Sequence, residues 1–198
     1  LTSLIVFPVS IFFIIEGGYL LMSFLFLIFF ATNYELFSVF RKRSTILFLD
    51  LFLICSLFSI FYLKENSDAT LTILLWVIIL CICSDVGGYT FGKLFKWKKF
   101  TKISPKKTFS GVLGSFIFSI FSIFIIQHLK IEESNSINFF EVKFFFLAII
   151  FSLIAQIGDL TISYFKRLEK IKDAGKILPG HGGILDRIDG LMFVVILT

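Results

Sequence analysis

Apolar runs close to membrane-spanning length, parted by short polar islands, leave this chain few ways to fold. They fall at roughly 2–15, 19–40, 45–63, 70–92, 110–128, 139–165 and 184–198. In lipid a backbone must satisfy its own N–H and C=O groups, so such runs form helices or close into a barrel. A barrel would read as short segments of alternating polarity, and these runs do not alternate. The reading is all-α: a polytopic integral membrane bundle of about seven transmembrane helices, a single membrane-embedded domain over 1–198. The 57% hydrophobic content and 29 Phe agree with it, since soluble domains run about 45–50% apolar. The first residues resemble the apolar core of a signal peptide but lack a basic start and a small-residue cleavage site, so they read as a retained span. The chain opens on Leu1 and its last span looks short, so sequence beyond Leu1 and Thr198 is expected. Cys55, Cys81 and Cys83 lie in apolar runs with no neighbouring His or Cys to complete a zinc site, and read as buried, inert thiols.

The islands are unequal in charge. Three Lys/Arg lie at 41–43, seven at 93–107 and six at 166–187, leaving only Lys64, Lys130 and Lys143 elsewhere. With these spans all three basic stretches fall on one side, which the positive-inside rule makes cytoplasmic, together with the N-terminus. The net charge of +5 is therefore one-sided, suited to anionic headgroups or nucleotide phosphates. Nucleic acid is not an expected partner, because the basic loops carry no binding fold for it.

Positive-inside bias accounts for lysines and arginines, but not for acids at span ends. Asp159 closes the run "FFFLAIIFSLIAQIG", and intramembrane acids are costly and usually functional. Ser163, Lys166 and Lys170 follow on the same helix face, with Arg167 beside them. "DAGKILPGHGG" then precludes a regular helix, and its glycines would let backbone N–H groups approach an anion. His181 stands between glycines with little local packing. In "ILDRIDG", Asp186 and Asp189 are three residues apart and share a face. Two such carboxylates favour a cation between them, and a hard ion such as Mg²⁺ takes carboxylate oxygens plus substrate phosphates. Arg187 sits between them, placed to pair with an acid or reach phosphate. The bland alternative, acids favoured by a helix N-terminus, leaves Asp159, His181 and the glycines without a role.

A second island has similar grammar. "CSDVGGYTFGK" places Asp85 late in an apolar run, ahead of Gly87, Gly88 and Tyr89. "ISPKKTFSGVLGS" adds Ser104, Lys106, Lys107, Thr108, Ser110 and Gly111 at a helix start, where lysines, hydroxyls and glycines suit a phosphate. It is not a P-loop, since G-x-x-x-x-G-K-[ST] is absent. Glu35 and Asp50, inside spans two and three, read as buried partners for a lysine or as packing polar residues, not as catalytic groups.

The run Ser163, Lys166, Arg167, Lys172, Asp173, Gly175, Pro179, His181, Gly182, Gly183, Asp186, Arg187 and Asp189 resembles the signature of the phosphatidate cytidylyltransferases, or CDP-diacylglycerol synthases. "D-x-G-G-Y" and "S-P-K-K-T-F-S-G" resemble that family too, although Gly88 stands where a small Ala is expected. The family usually continues past the last span. The resemblance implies CMP transfer from CTP to phosphatidic acid, giving CDP-diacylglycerol and pyrophosphate, with Mg²⁺ and a second, monovalent cation such as K⁺. It implies that Asp159, Asp186 and Asp189 hold metal, and that Lys166, Arg167, Lys172 and Arg187 meet phosphates. It further implies that Ser104, Lys106, Lys107 and Thr108 shape a phosphate site supported by Asp85, with Ser163, Asp173, His181, Gly182 and Gly183 around the substrates. The spans at 1–68 would be a variable N-terminal part, and 69–198 the catalytic spans and loops. The expected setting is a bacterial inner membrane, with the lipid bilayer as a partner and a homodimer as an allowed assembly. A CTP-dependent polyprenol or phytol kinase is the competing enzyme reading; it would release CDP instead of pyrophosphate. A transporter would spread polar residues along several spans, whereas here they gather at one end.

Overall fold

The structure, a computed structural model, describes residues 2–99, 101, 104, 107–129, 137–171, 173–175 and 182–198, with side chains from Pro8 onward. Among the described residues seven helices follow one another: α1 Thr2–Glu16, α2 Gly18–Val39, α3 Arg43–Asn66, α4 Asp68–Phe95, α5 Phe109–Leu129, α6 Val142–Leu168 and α7 Leu185–Val195. Their limits match the expected spans to within a few residues. Gly17 and Gly18, at φ 69° and 53°, break α1 from α2 in a conformation that costs glycine little. The Ser67 hydroxyl accepts the Thr70 N–H at 3.3 Å and starts α4.

Helices α2 to α6 are each long and apolar enough to cross a membrane. The other two are shorter: α1 has 15 residues and α7 has 11. At ~1.5 Å per residue, α7 reaches about half of a ~30 Å hydrocarbon core. Cys55 is exposed on the outer face of α3, not buried as expected, and a span's outer face meets acyl chains.

Lipid tails are as apolar as leucine, so the spans need close fit and polar contacts to associate. The α4–α5 pair shows both. Gly87 of α4 and Gly114 of α5 face each other so closely that a Cβ on either would strike the other's carbonyl oxygen. A Cβ on Gly111 would lie 2.8 Å from the Gly88 carbonyl oxygen. Gly111, which the sequence suggested for phosphate approach, thus serves with Gly87 and Gly114 to bring two helices together. The buried Trp76 donates to Ser122 Oγ at 3.1 Å and sits among Phe139, Phe144 and Phe151. Ser84 and Ser152 hydroxyls lie 2.8 Å apart, and Ser115 donates to the Ser84 carbonyl at 2.8 Å, tying α4, α5 and α6. A second core, with Leu36, Leu49, Leu53, Ile162, Leu185 and Met192, seats α7 against α2, α3 and α6.

The basic stretches do meet at one end of the bundle. Glu169 Oε1, just past α6, accepts the Arg41 and Lys42 amides at 3.3 and 3.4 Å. Lys107, ahead of α5, reaches Asp159 of α6. At the other end, Glu65 accepts the Gly18 amide at 2.9 Å.

Candidate active site

The loop between α4 and α5 delivers the first wall. Lys96 ends α4 in a left-handed conformation, its N–H bonded to the Gly92 carbonyl. Lys99 and Thr108 pair as an isolated antiparallel bridge, and Phe109 N donates to the Lys98 carbonyl at 3.2 Å, so the chain doubles back. Thr108 Oγ1 then accepts the Gly111 amide at 3.1 Å, capping α5. This places Lys107 Nζ 2.6 Å from Asp159 Oδ2 and 3.3 Å from the Gln156 carbonyl. Ser163, one turn beyond Asp159, donates to its other oxygen at 3.2 Å.

A cavity of about 270 Å³ opens between α4, α5 and α6 at this point. Asp85, Ser104, Lys107, Thr108 and Asp159 all line it, so five of the expected site residues converge. Tyr89 and Gln156 line it as well.

The second wall is the start of α7. Lys166, nearly buried, donates to Asp186 Oδ1 at 2.6 Å. Asp186 Oδ2 accepts the Ala174 amide at 2.8 Å and the Gly183 amide at 3.1 Å. The expected face of α6 is real from Asp159 through Ser163 to Lys166. It stops there, because the helix ends at Leu168 and Lys170 turns left-handed at φ 58°. Arg167 is exposed and donates to the Ile171 carbonyl at 2.8 Å. Asp173 is exposed, while Gly182 adopts φ 85° beside Asp186. Lys106, Lys172 and His181 lie outside the described residues.

The structure uses two of the loop glycines differently from the expected anion cradle. Gly175 and Gly183 press against the carboxylate of Glu35, a buried residue of α2. Glu35 Oε1 accepts the Ile184 amide at 3.0 Å and Oε2 the Leu185 amide at 3.1 Å. Among the described residues its partners are these two backbone amides, and no lysine pairs with it. A lone acid in an apolar run was the only sequence signal, and its partners lie 149 and 150 residues away. Asp50, by contrast, keeps a buried Oδ1 with no hydrogen-bond partner among the described residues.

Between the walls, carboxylates gather among the described residues. Asp85, Asp159 and Asp189 lie near enough to repel one another, while Lys107 and Arg187 attract Asp85 and Lys166 attracts Asp189. Asp189 Oδ1 accepts the following Gly190 amide at 2.8 Å. Among the described residues no three acid, His or Cys side chains close into a metal cage. Mg²⁺ does not need one, since it commonly takes one or two carboxylates and completes its shell with water and substrate phosphate. The oxygens of Asp159 and Asp189 fit that role. Asp186 Oδ1 also fits, because a carboxylate oxygen has a lone pair beyond the one Lys166 uses.

Fold and site together define a polytopic helical membrane protein with carboxylates and lysines gathered at one membrane face. A model of the cytidylyltransferase family matches residues 19–198, and the chain belongs to that family. It is 41% identical over 121 residues to a phosphatidate cytidylyltransferase of Helicobacter pylori, covering 61% of this chain and 43% of that one. A protein of the same name from Staphylococcus saprophyticus is 38% identical over 135 residues, covering 68% and 50%. One from Rickettsia conorii is 41% identical over 131 residues, covering 62% and 56%. The chain thus spans about half the length of these curated relatives.

Proposed function

We propose that this chain carries the catalytic site of a phosphatidate cytidylyltransferase, making CDP-diacylglycerol and pyrophosphate from CTP and phosphatidic acid. The observation that carries the reading is the convergence of Lys107, Asp159, Asp85, Ser104 and Thr108 on one cavity at the basic end of the bundle. A phosphate monoester is already a nucleophile near neutral pH. Its oxygen attacks the α-phosphorus of CTP in line, the bond to the pyrophosphate oxygen breaks, and pyrophosphate leaves with the electron pair. No side chain has to remove a proton. The obstacle is the meeting of two polyanions, and catalysis consists of positioning and charge neutralisation.

Each residue then has a task. Lys107 gives up Asp159 for a phosphate oxygen, with Ser104 and Thr108 beside it. Asp159, Asp186 and Asp189 would hold Mg²⁺, which would neutralise phosphate charge when bound. Lys166 and Arg187 take the remaining phosphate oxygens, and Arg167 and Lys172 draw CTP in from solvent. The site belongs at the interface, where the lipid phosphate lies and CTP arrives. The positive-inside bias supports a cytoplasmic position for that face, and the bacterial relatives support a bacterial inner membrane as its setting.

The test uses the full-length protein in detergent micelles with phosphatidic acid, Mg²⁺ and CTP labelled at its α-phosphate. Label should appear in the lipid, with one pyrophosphate per transfer. Release of labelled CDP, with the lipid unlabelled, would assign the chain to lipid kinase chemistry instead.

A further inference from the structure

We propose that Glu35 is a positioning residue for this site: a carboxylate on α2 that sets where α7 points Asp186 and Asp189. The inference rests on the reading of those acids given above. Helix α7 is only 11 residues long, and its first amides have no partner within the helix. Four N–H groups around its start are shared between two carboxylates. Ala174 and Gly183 donate to Asp186, while Ile184 and Leu185 donate to Glu35. Glu35 is 1% exposed, so its charge is answered by these amides and the positive end of the α7 dipole.

The contacts leave Glu35 no slack. A Cβ on Gly175 would lie 2.5 Å from Glu35 Cδ and 2.8 Å from its Cγ, and its nearest atoms are all in that one side chain. A Cβ on Gly183 would lie 2.6 Å from Oε2. Neither glycine has a positive φ, so each is small because Glu35 is there, not because of backbone conformation. Just past α2, the Arg41 and Lys42 amides donate to Glu169, the residue after α6. Asp186 follows directly on the two anchored amides, and Asp189 is one turn further. Freeing the anchor lets both move together, and a shift of ~1 Å in a reacting geometry can cost on the order of 100-fold in rate.

Two measurements on the full-length protein decide the matter. In Glu35→Gln one acceptor oxygen becomes an NH₂ facing a backbone N–H. We expect kcat to fall about 30- to 100-fold. The loss in kcat should exceed any rise in the KM for CTP, because Lys107, Ser104 and Thr108 on the other wall are untouched. Equal kcat in the variant and the parent, or a loss carried wholly by KM, overturns the proposal. The second measurement is coupling. Gly175→Ala should be damaging alone, yet add little to the loss in Glu35→Ala, which removes the side chain that the methyl group would strike. Additive losses in kcat and in the thermal midpoint of unfolding would overturn the anchor. The thermal midpoints also separate this idea from the activity it rests on. A parent protein that transfers no label from CTP sinks that reading, while coupling of the two midpoints still decides whether Glu35 holds the loop.

Discussion

The two lysine–aspartate pairs have the same 2.6 Å length and opposite characters. Lys107–Asp159 lines a cavity, with side chains 22% and 35% exposed, and its lysine has one further bond, to a carbonyl. Lys166–Asp186 is 10% and 13% exposed, and its aspartate also holds two amides of the loop ahead of α7. An exposed pair contributes about 0–1 kcal/mol and exchanges partners readily. Breaking a buried pair by removing one member costs about 3–5 kcal/mol. On the proposed reading the first pair would let go when a phosphate arrives. The second holds the loop ahead of α7 in place.

Substitutions can break or sharpen this contrast, and the largest effect belongs to the buried pair. Asp186→Asn should abolish turnover, lower the thermal midpoint, and leave the protein in the membrane. Wild-type-like activity dependent on CTP and Mg²⁺ would remove Asp186 from the site. Asp159→Asn should lower kcat by about 100-fold or more and raise the Mg²⁺ concentration needed for half-maximal rate. Its thermal midpoint should fall less than that of Asp186→Asn, since the Lys107–Asp159 pair is the more exposed of the two. A large thermal loss would show that the two pairs are alike after all. Lys107→Ala should raise the KM for CTP or for phosphatidic acid about tenfold, with a smaller change in kcat. Unchanged kinetics would reduce that loop to membrane-side charge. Glu169→Ala is expected to have the smallest effect. It removes two long hydrogen bonds at an exposed loop, and should alter stability by less than about 1 kcal/mol by chemical denaturation.

Some of this was written locally. The spans follow from apolar length, and their limits from Gly17–Gly18, the Ser67 cap and the basic islands. Asp159, Ser163 and Lys166 could be placed on one face because helical periodicity is a local property. Lys107 and Asp85 stood out as polar groups at span ends. The glycines misled for a physical reason. A glycine marks close approach but does not say of what: Gly87, Gly111 and Gly114 admit a neighbouring helix, and Gly175 and Gly183 admit Glu35. Lys170 was misplaced because α6 ends two residues before it, in a left-handed turn that periodicity does not foresee.

What the sequence determined by itself is the class: a helical membrane bundle with its polar chemistry at one end, since hydropathy and charge act residue by residue along the chain. Only the tertiary structure decided which residues pair. Lys107 meets Asp159 across 52 positions, Lys166 meets Asp186 across 20, and Glu35 holds the start of α7 across about 150. Partners that distant are chosen by helix packing in three dimensions. A lone carboxylate in an apolar run shows only that it needs a partner, not which one it finds.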